Sequence, residues 1–65
     1  MLTGYGAKIK TLRGKESRAE LAEAIGVSES AVAMYENEER MPRDKTKMAI
    51  AKHFDTTVQA IFFEN

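Results

Sequence analysis

The 65-residue chain contains no cysteine, so neither a disulfide bond nor a thiolate metal site can stabilise it. It has no long hydrophobic segment either. Its longest apolar run, residues 31–35, is far shorter than the ~20 residues that a membrane-spanning helix needs. The N-terminal sequence MLTGYGAKIK lacks the apolar stretch of a signal peptide. We therefore expect a cytoplasmic protein that does not associate with a membrane.

A net charge is also absent, because ten basic and ten acidic residues cancel. A nucleic-acid-binding protein usually has a basic surplus, so a balanced chain can bind DNA only if its basic residues lie on one face. A chain of this length buries only about 60% of its unfolded surface, which leaves little room for a deep substrate cavity. No nucleophile, acid and base occur in an enzyme-like pattern, and we expect no metal, cofactor or small-molecule ligand.

Strand signals are weak, and the hairpin dipeptides Asn-Gly and Asp-Gly do not occur. Helical spacing of apolar residues appears five times and predicts helices over residues 3–13, 17–25, 28–36 and 44–54 and from residue 56 onward. The sequence therefore predicts one compact all-α domain, residues 1–65. The expected core residues are Tyr5, Ile9, Leu12, Leu21, Ala22, Ile25, Val32, Tyr35, Met48, Ile50 or Ala51, Phe54, Val58, Ile61 and Phe62.

Two helix starts carry the signature of a capping box, in which a Ser or Thr side chain and a Glu or Gln three residues later cap each other's backbone. The first pair is Ser17 and Glu20, before the second helix. The other pair is Thr56 and Gln59, before the fifth.

The stretch SRAELAEAIGVSESAVAMYE, residues 17–36, places two short helices around a turn of about three residues. So tight a turn sets the helices at a steep angle, as in a helix-turn-helix. Gly26 allows the left-handed backbone of the turn, Ala22 allows close helix crossing, and Ser28 is a good N-cap for the second helix. A plain helical corner without DNA-binding function has the same local pattern.

The wider sequence resembles the lambda repressor/Cro-type (XRE-like) helix-turn-helix family. The resemblance covers essentially the whole chain, and its most specific parts are LAEAIGVS, the loop YEN…P and IAKHFDTTVQAIFF. It implies a compact five-helix domain and a transcriptional regulator that lays its third helix in the major groove of double-stranded DNA. It also implies a homodimer, at least on DNA.

The resemblance assigns roles to individual positions. The residues expected to read base edges are Ser28, Glu29, Ser30 and Met34. The residues expected to contact phosphates are Arg18, Asn37, Arg40 and Arg43, which Lys8 or Lys15 could join. The ends of the first and third helices are expected to form a structural ion pair between Arg13 and Glu36.

The chain departs from the family pattern after Asn37, where Glu38 and Glu39 replace the frequent glycine and lysine. Two carboxylates there repel a phosphate backbone unless they point away from it. Glu29 could also serve only the helix dipole, with Met34 facing solvent or a partner protein. These residues keep open an alternative function, a protein-interaction module of the same fold, such as an anti-repressor or an antitoxin-like protein.

Three further residues have competing interpretations. Phe62 and Phe63 are adjacent, so both cannot lie on one buried helical stripe. The pair could form a dimer seam or belong to the core and a frayed end. His53, without a cysteine or second histidine beside it, is expected at the surface and not in a metal site.

Overall fold

The computed structural model describes residues 4–63 of the chain. This part contains five helical segments and no strand, which confirms the predicted all-α architecture. The start of the first helix predicted at Thr3 lies outside the described residues. The segments are α1 (Tyr5–Arg13), α2 (Arg18–Ile25), α3 (Glu29–Glu36), α4 (Asp44–His53) and a π-helical turn (Gln59–Phe63).

The helices enclose one small apolar core. α3 packs against α1 and α2, α2 also packs against α4, and the π-helical turn packs against α1. Four fully buried side chains, one from each α-helix, form the centre: Ile9, Leu21, Val32 and Ile50. The other buried apolar residues are Tyr5, Ala22, Ile25, Ala31, Tyr35, Ala51, Ile61 and Phe62.

Two residues expected in the core are exposed, so these predictions are wrong. Met48 is 64% exposed because it lies two residues before Ile50, about 200° around the helix from the buried face. Leu12 is also exposed and borders an open groove beside Ala60 and Ile61. Other expected core residues, Phe54 and Val58, are only partly buried against the core.

The predicted caps of α2 and α3 are confirmed. The Glu20 backbone N–H donates to Ser17 Oγ at 3.0 Å, and the Ser17 N–H donates to Glu20 Oε1 at 2.9 Å. Ser28 Oγ accepts from the Ala31 N–H at 3.1 Å. Both serines therefore satisfy backbone groups that a helix start leaves without a partner.

Gly26 ends α2 in the left-handed conformation that the sequence predicts, with φ of 76°. The Val27 N–H then donates to the Ala22 carbonyl at 3.0 Å, which closes the turn over the last carbonyls of α2. The chain leaves this turn extended at Ser28 and immediately starts α3.

The capping box predicted at Thr56 and Gln59 is wrong by one residue. Thr57 Oγ1 accepts from the Ala60 N–H at 3.1 Å. The Thr56 N–H, from which Gln59 would accept in a capping box, donates instead to the Ala51 carbonyl at 2.9 Å, at the end of α4. Asp55, with φ of 55°, adopts the left-handed backbone between α4 and the π-helical turn.

Candidate nucleic-acid interface

One face of α3 is exposed to solvent at its start. Ser28, Glu29 and Ser30 are exposed, and Met34, one turn later, is partly buried. The opposite face of the helix is held in the core by Ala31, Val32 and Tyr35. A helix anchored along one face and free at its N-terminal turn can enter a groove without disturbing the core.

Three helix ends converge on the Glu36 carboxylate. Arg13, the last residue of α1, donates from Nε to Glu36 Oε2 at 2.6 Å and from Nη2 to Oε1 at 3.3 Å. Arg18, the first residue of α2, donates from Nε to Oε1 at 3.0 Å. The Arg13–Glu36 contact was expected, whereas the contact from Arg18, a predicted phosphate ligand, was not.

Arg13 and Arg18 differ in exposure, and this difference decides where the cluster of Arg13, Arg18 and Glu36 carries its positive charge. The side chains of Glu36 and Arg13 are 1% and 14% exposed, whereas that of Arg18 is 38% exposed. Burial of the Glu36 carboxyl raises its pKa, but the hydrogen bonds and charges of Arg13 and Arg18 outweigh this and hold the pKa below its ordinary value. The hydrogen bond to Glu36 in turn raises the pKa of Arg13. One carboxylate cannot neutralise two guanidinium groups, so a positive charge remains, and it lies at the surface on Arg18.

The loop between α3 and α4 carries the other predicted phosphate ligands. Asn37 is exposed, and its Nδ2 donates to Glu39 Oε1 at 3.3 Å. Arg40 and Arg43 are exposed, and neither forms a salt bridge within residues 4–63. Arg43 is also the N-cap residue of α4, where its side chain makes no capping hydrogen bond. Both guanidinium groups are therefore available to an anion.

Glu38 is exposed like its neighbour Glu39, but its carboxylate is hydrogen-bonded to the start of α1. Its Oε2 accepts from the Gly4 N–H at 2.8 Å and from the Gly6 N–H at 3.2 Å, both at the start of α1. Burial and the nearby Glu38 charge raise the pKa of Tyr5, which lies between these two glycines. Of the two carboxylates that the sequence places beside the phosphate ligands, one is thus bound within the protein.

Comparison with known proteins identifies the family. A profile described as Helix-turn-helix matches residues 9–61, which is most of the chain. The chain belongs to the Cro/C1-type helix-turn-helix family. This is a family of DNA-binding regulators and not of enzymes.

A solved structure shares the fold of this helix-turn-helix protein. It is the P22 c2 repressor in complex with a synthetic operator, with a TM-score of 0.87 and 25% sequence identity. The alignment covers 89% of this chain and 91% of the repressor chain. The comparison with curated proteins gave no match.

Lys8 and Lys15, which could join the phosphate ligands of this helix-turn-helix protein, lie in different surroundings. Lys8 Nζ donates to the Ala60 carbonyl at 3.0 Å and so ties α1 to the π-helical turn. Lys15 is exposed in the loop between α1 and α2. His53 lies at the surface as expected, but its Nε2 also contacts Glu16 Oε2 at 2.9 Å.

The predicted dimer seam divides between the core and the surface. Phe62 is buried, with its ring centroid 5.6 Å from that of Tyr5, so it is not available to a second protein. Phe63 is 54% exposed. Lys47 Nζ lies 5.4 Å from the Phe62 ring centroid and 5.3 Å from that of Phe63, so it covers both rings from α4.

The sequence did not predict two contacts that shape this site. The carboxylate of Glu38 accepts hydrogen bonds from the start of α1, and Gly6 in α1 lies against the end of α3. A Cβ on Gly6 would collide with the Glu36 carbonyl oxygen. A signal existed for both, because the predicted α1 has a glycine inside it and no acidic residue in its first turn.

Within residues 4–63, no group of three or more His, Cys, Asp or Glu side chains could hold a metal ion. None of the helices in the same part of the chain has the length and hydrophobicity of a membrane-spanning segment.

Proposed function

We propose that the protein is a sequence-specific transcriptional regulator that binds an operator half-site by placing α3 in the major groove. One observation carries this proposal: Ser28, Glu29 and Ser30 at the start of α3 are exposed, whereas the opposite face of the helix is buried in the core. The family membership supports DNA binding, and the c2 repressor of the same fold was solved with an operator.

Phosphate contacts set the position of the helix in the groove. For this role we propose Arg18, whose partly exposed guanidinium carries the residual charge of the Glu36 cluster, together with the loop residues Asn37, Arg40 and Arg43. Within residues 4–63, the two Nη groups of Arg18 make no hydrogen bond. They are therefore free to form the two parallel bonds that a phosphate accepts.

Base contacts set the sequence that is bound. Glu29 can accept a hydrogen bond from cytosine N4, and the Ser28 and Ser30 hydroxyls can serve several bases. The Ser28 oxygen already accepts from Ala31, so we assign it a donor role towards DNA. Met34 can contact a thymine methyl group with the part of its side chain that is exposed.

We also propose that the protein acts as a homodimer on a two-fold operator, with half-site centres about 34 Å apart. Few contacts from one small domain with no net charge predict weak binding by a monomer. The exposed Phe63 supports a contact between copies near the π-helical turn. Sedimentation with and without operator DNA tests this part, and a Phe63→Ser variant should dissociate more readily than the wild type.

Selection of bound sequences from a random duplex library tests the whole proposal. A sequence-specific dimer should enrich a palindrome. The alternative function, a protein-interaction module of the same fold, predicts that no sequence is enriched. Selection with Ser30→Ala should change the preferred bases, because this residue lies on the groove-facing turn.

Single variants test the docking. Arg43→Ala should weaken binding to all sequences and reduce the salt slope by about 0.9, which is the effect of one lost phosphate contact. Arg18→Ala should do the same. Lys52→Ala is the matched control, since Lys52 is exposed near the other end of α4. If Arg18→Ala and Arg43→Ala bind DNA as Lys52→Ala does at moderate salt, the proposed docking is wrong.

A further inference from the structure

α1 begins without a cap of its own. Its N-cap residue, Gly4, has no side chain to accept a hydrogen bond, and its first turn contains no acidic residue. A helix start has free N–H groups and a partial positive charge, and it is stabilised by a nearby anion. Here the anion is the carboxylate of Glu38, 34 positions along the chain from Gly4.

The backbone of Glu38 is held in an unfavourable conformation. Its φ is 58°, in the left-handed region that residues with a Cβ rarely adopt. The Glu38 N–H donates to the Tyr35 carbonyl at 3.1 Å, and the Glu39 N–H donates to the Met34 carbonyl at 2.9 Å. The chain therefore turns sharply at the end of α3, and the side chain that leaves this turn is bound to α1.

A second contact joins the same two parts of the protein. Tyr5, in the first turn of α1, donates from its hydroxyl group to the Arg40 carbonyl at 3.2 Å. Glu38 and Tyr5 thus attach the loop to α1 on both sides of Glu39. The residues that follow are the exposed Arg40 and, three positions later, Arg43.

We propose that Glu38 is a positioning residue for DNA binding, because by capping α1 it fixes the loop that presents Arg40 and Arg43 to phosphates. This inference rests on the proposed DNA-binding function. Glu38 is acidic and lies beside the phosphate ligands, so charge repulsion alone predicts that it lowers DNA affinity. The positioning role predicts that it raises DNA affinity. Removing Glu38 should weaken DNA binding, although the protein becomes less negative.

The two effects differ in size as well as in sign. Removing one carboxylate about 10 Å from a phosphate, at 0.1 M salt, should raise DNA affinity by no more than about twofold. Losing one phosphate contact should lower the affinity about eightfold at 0.1 M salt, since each contact contributes about 0.9 to the salt slope. The affinity lost with one phosphate contact therefore exceeds the affinity gained by removing one carboxylate.

Glu39 supplies the matched control. It is the adjacent residue, exposed and of the same charge, and within residues 4–63 its side chain is hydrogen-bonded to Asn37 and not to α1. Duplex affinity and salt slope should be measured for Glu38→Ala and Glu39→Ala, at a temperature where circular dichroism shows each variant fully folded. Glu38→Ala should bind about five- to tenfold more weakly than the wild type, with a slope reduced by about 0.9. Glu39→Ala should bind equally well or up to about twofold more tightly.

Glu38→Gln tests the role of the hydrogen bonds. The amide oxygen of glutamine can still accept from Gly4 or Gly6, so this variant should bind DNA more tightly than Glu38→Ala. In an NMR spectrum, the Gly4 and Gly6 amide resonances should shift in both Glu38 variants and stay in place in Glu39→Ala. Tyr5→Phe removes the other tie without changing any charge, and it should also lower both the affinity and the salt slope.

The possible failures are distinct. If the wild-type protein shows no salt-dependent binding to any duplex, the proposed function is wrong. If the wild type binds but Glu38→Ala binds as tightly as Glu39→Ala, the positioning role is wrong. A loss of affinity with an unchanged salt slope overturns it too. If Glu38→Ala does not fold, the Tyr5→Phe variant provides the test. The inference is wrong if Tyr5→Phe binds DNA with the same affinity and salt slope as the wild type.

Discussion

Glu36 is the residue at which α1, α2 and α3 meet, and replacing it with glutamine should destabilise the protein strongly. Three hydrogen bonds from charged donors end on its carboxylate, two from Arg13 and one from Arg18. Each such bond contributes about 1.5–3 kcal/mol. Glutamine keeps one acceptor oxygen, and the partly exposed Arg18 can turn towards water. We therefore expect a loss of about 2–4 kcal/mol from the free energy of unfolding.

That loss is large for this chain. A protein of 65 residues has a free energy of unfolding of roughly 3–10 kcal/mol. The Glu36→Gln variant should therefore be partly unfolded at temperatures where the wild type is folded. Its melting temperature should be lower by about 8–30 °C, because about 1 kcal/mol shifts a domain of this size by roughly 4–8 °C.

The effect should depend on pH in a defined direction. The pKa of Glu36 is lowered in the folded protein, so the folded state favours the ionised carboxylate. The resulting stability is present above the ordinary glutamate pKa of about 4.3 and is lost as the pH falls through the lower folded value. The difference between the wild type and Glu36→Gln should therefore be largest near neutral pH and should shrink towards about pH 3.

Urea unfolding followed by circular dichroism, from about pH 3 to pH 7, measures this difference. Glu23→Gln is the control, because Glu23 is exposed on α2 and forms no salt bridge within residues 4–63. It should change stability by less than about 0.5 kcal/mol at any pH. A difference for Glu36→Gln that is the same at both ends of the pH range would refute the reasoning, since the ion pair would then contribute nothing through its charge.

Three other substitutions test the packing and caps by urea unfolding. Gly6→Ala should lower stability by about 1–3 kcal/mol, because its Cβ meets the Glu36 carbonyl and overpacking outweighs the better helix propensity of alanine; an equal or higher stability would contradict the close approach. Ser17→Ala should lower it by about 1 kcal/mol through loss of the cap of α2, and no change would argue against the capping box. Thr57→Ala should destabilise more than Thr56→Ala, and the reverse order would restore Thr56 as the cap.

Sequence patterns predicted most of the helical framework because its signals are local. The cap at Ser17, the stop at Gly26 and the cap at Ser28 each depend on residues no more than five positions apart. The predictions that failed concern which side chains of a helix are buried, because burial depends on the neighbouring helices. Met48 fits a helical stripe as well as a core residue does, and only the packing of α4 shows that its side chain faces solvent.

The candidate site shows the same division. The family resemblance pointed to Arg40, Arg43 and the start of α3, and the side chains of Arg40, Arg43, Glu29 and Ser30 are exposed in the structure. The hydrogen-bond partners of Glu38 and Glu39 could not be predicted from the sequence. Glu38 and Glu39 look alike in the sequence, yet one caps α1 and the other lies beside Asn37.

By itself the sequence determined where helices begin and end and that two of them meet at a tight corner, since hydrogen bonds within one turn of backbone settle these features. Only the tertiary structure decided that Arg18 shares Glu36 with Arg13, that Gly6 lies against the end of α3, and that Glu38 turns away from its neighbour towards α1. These contacts join residues 18 to 34 positions apart, and their geometry exists only when the whole core is assembled.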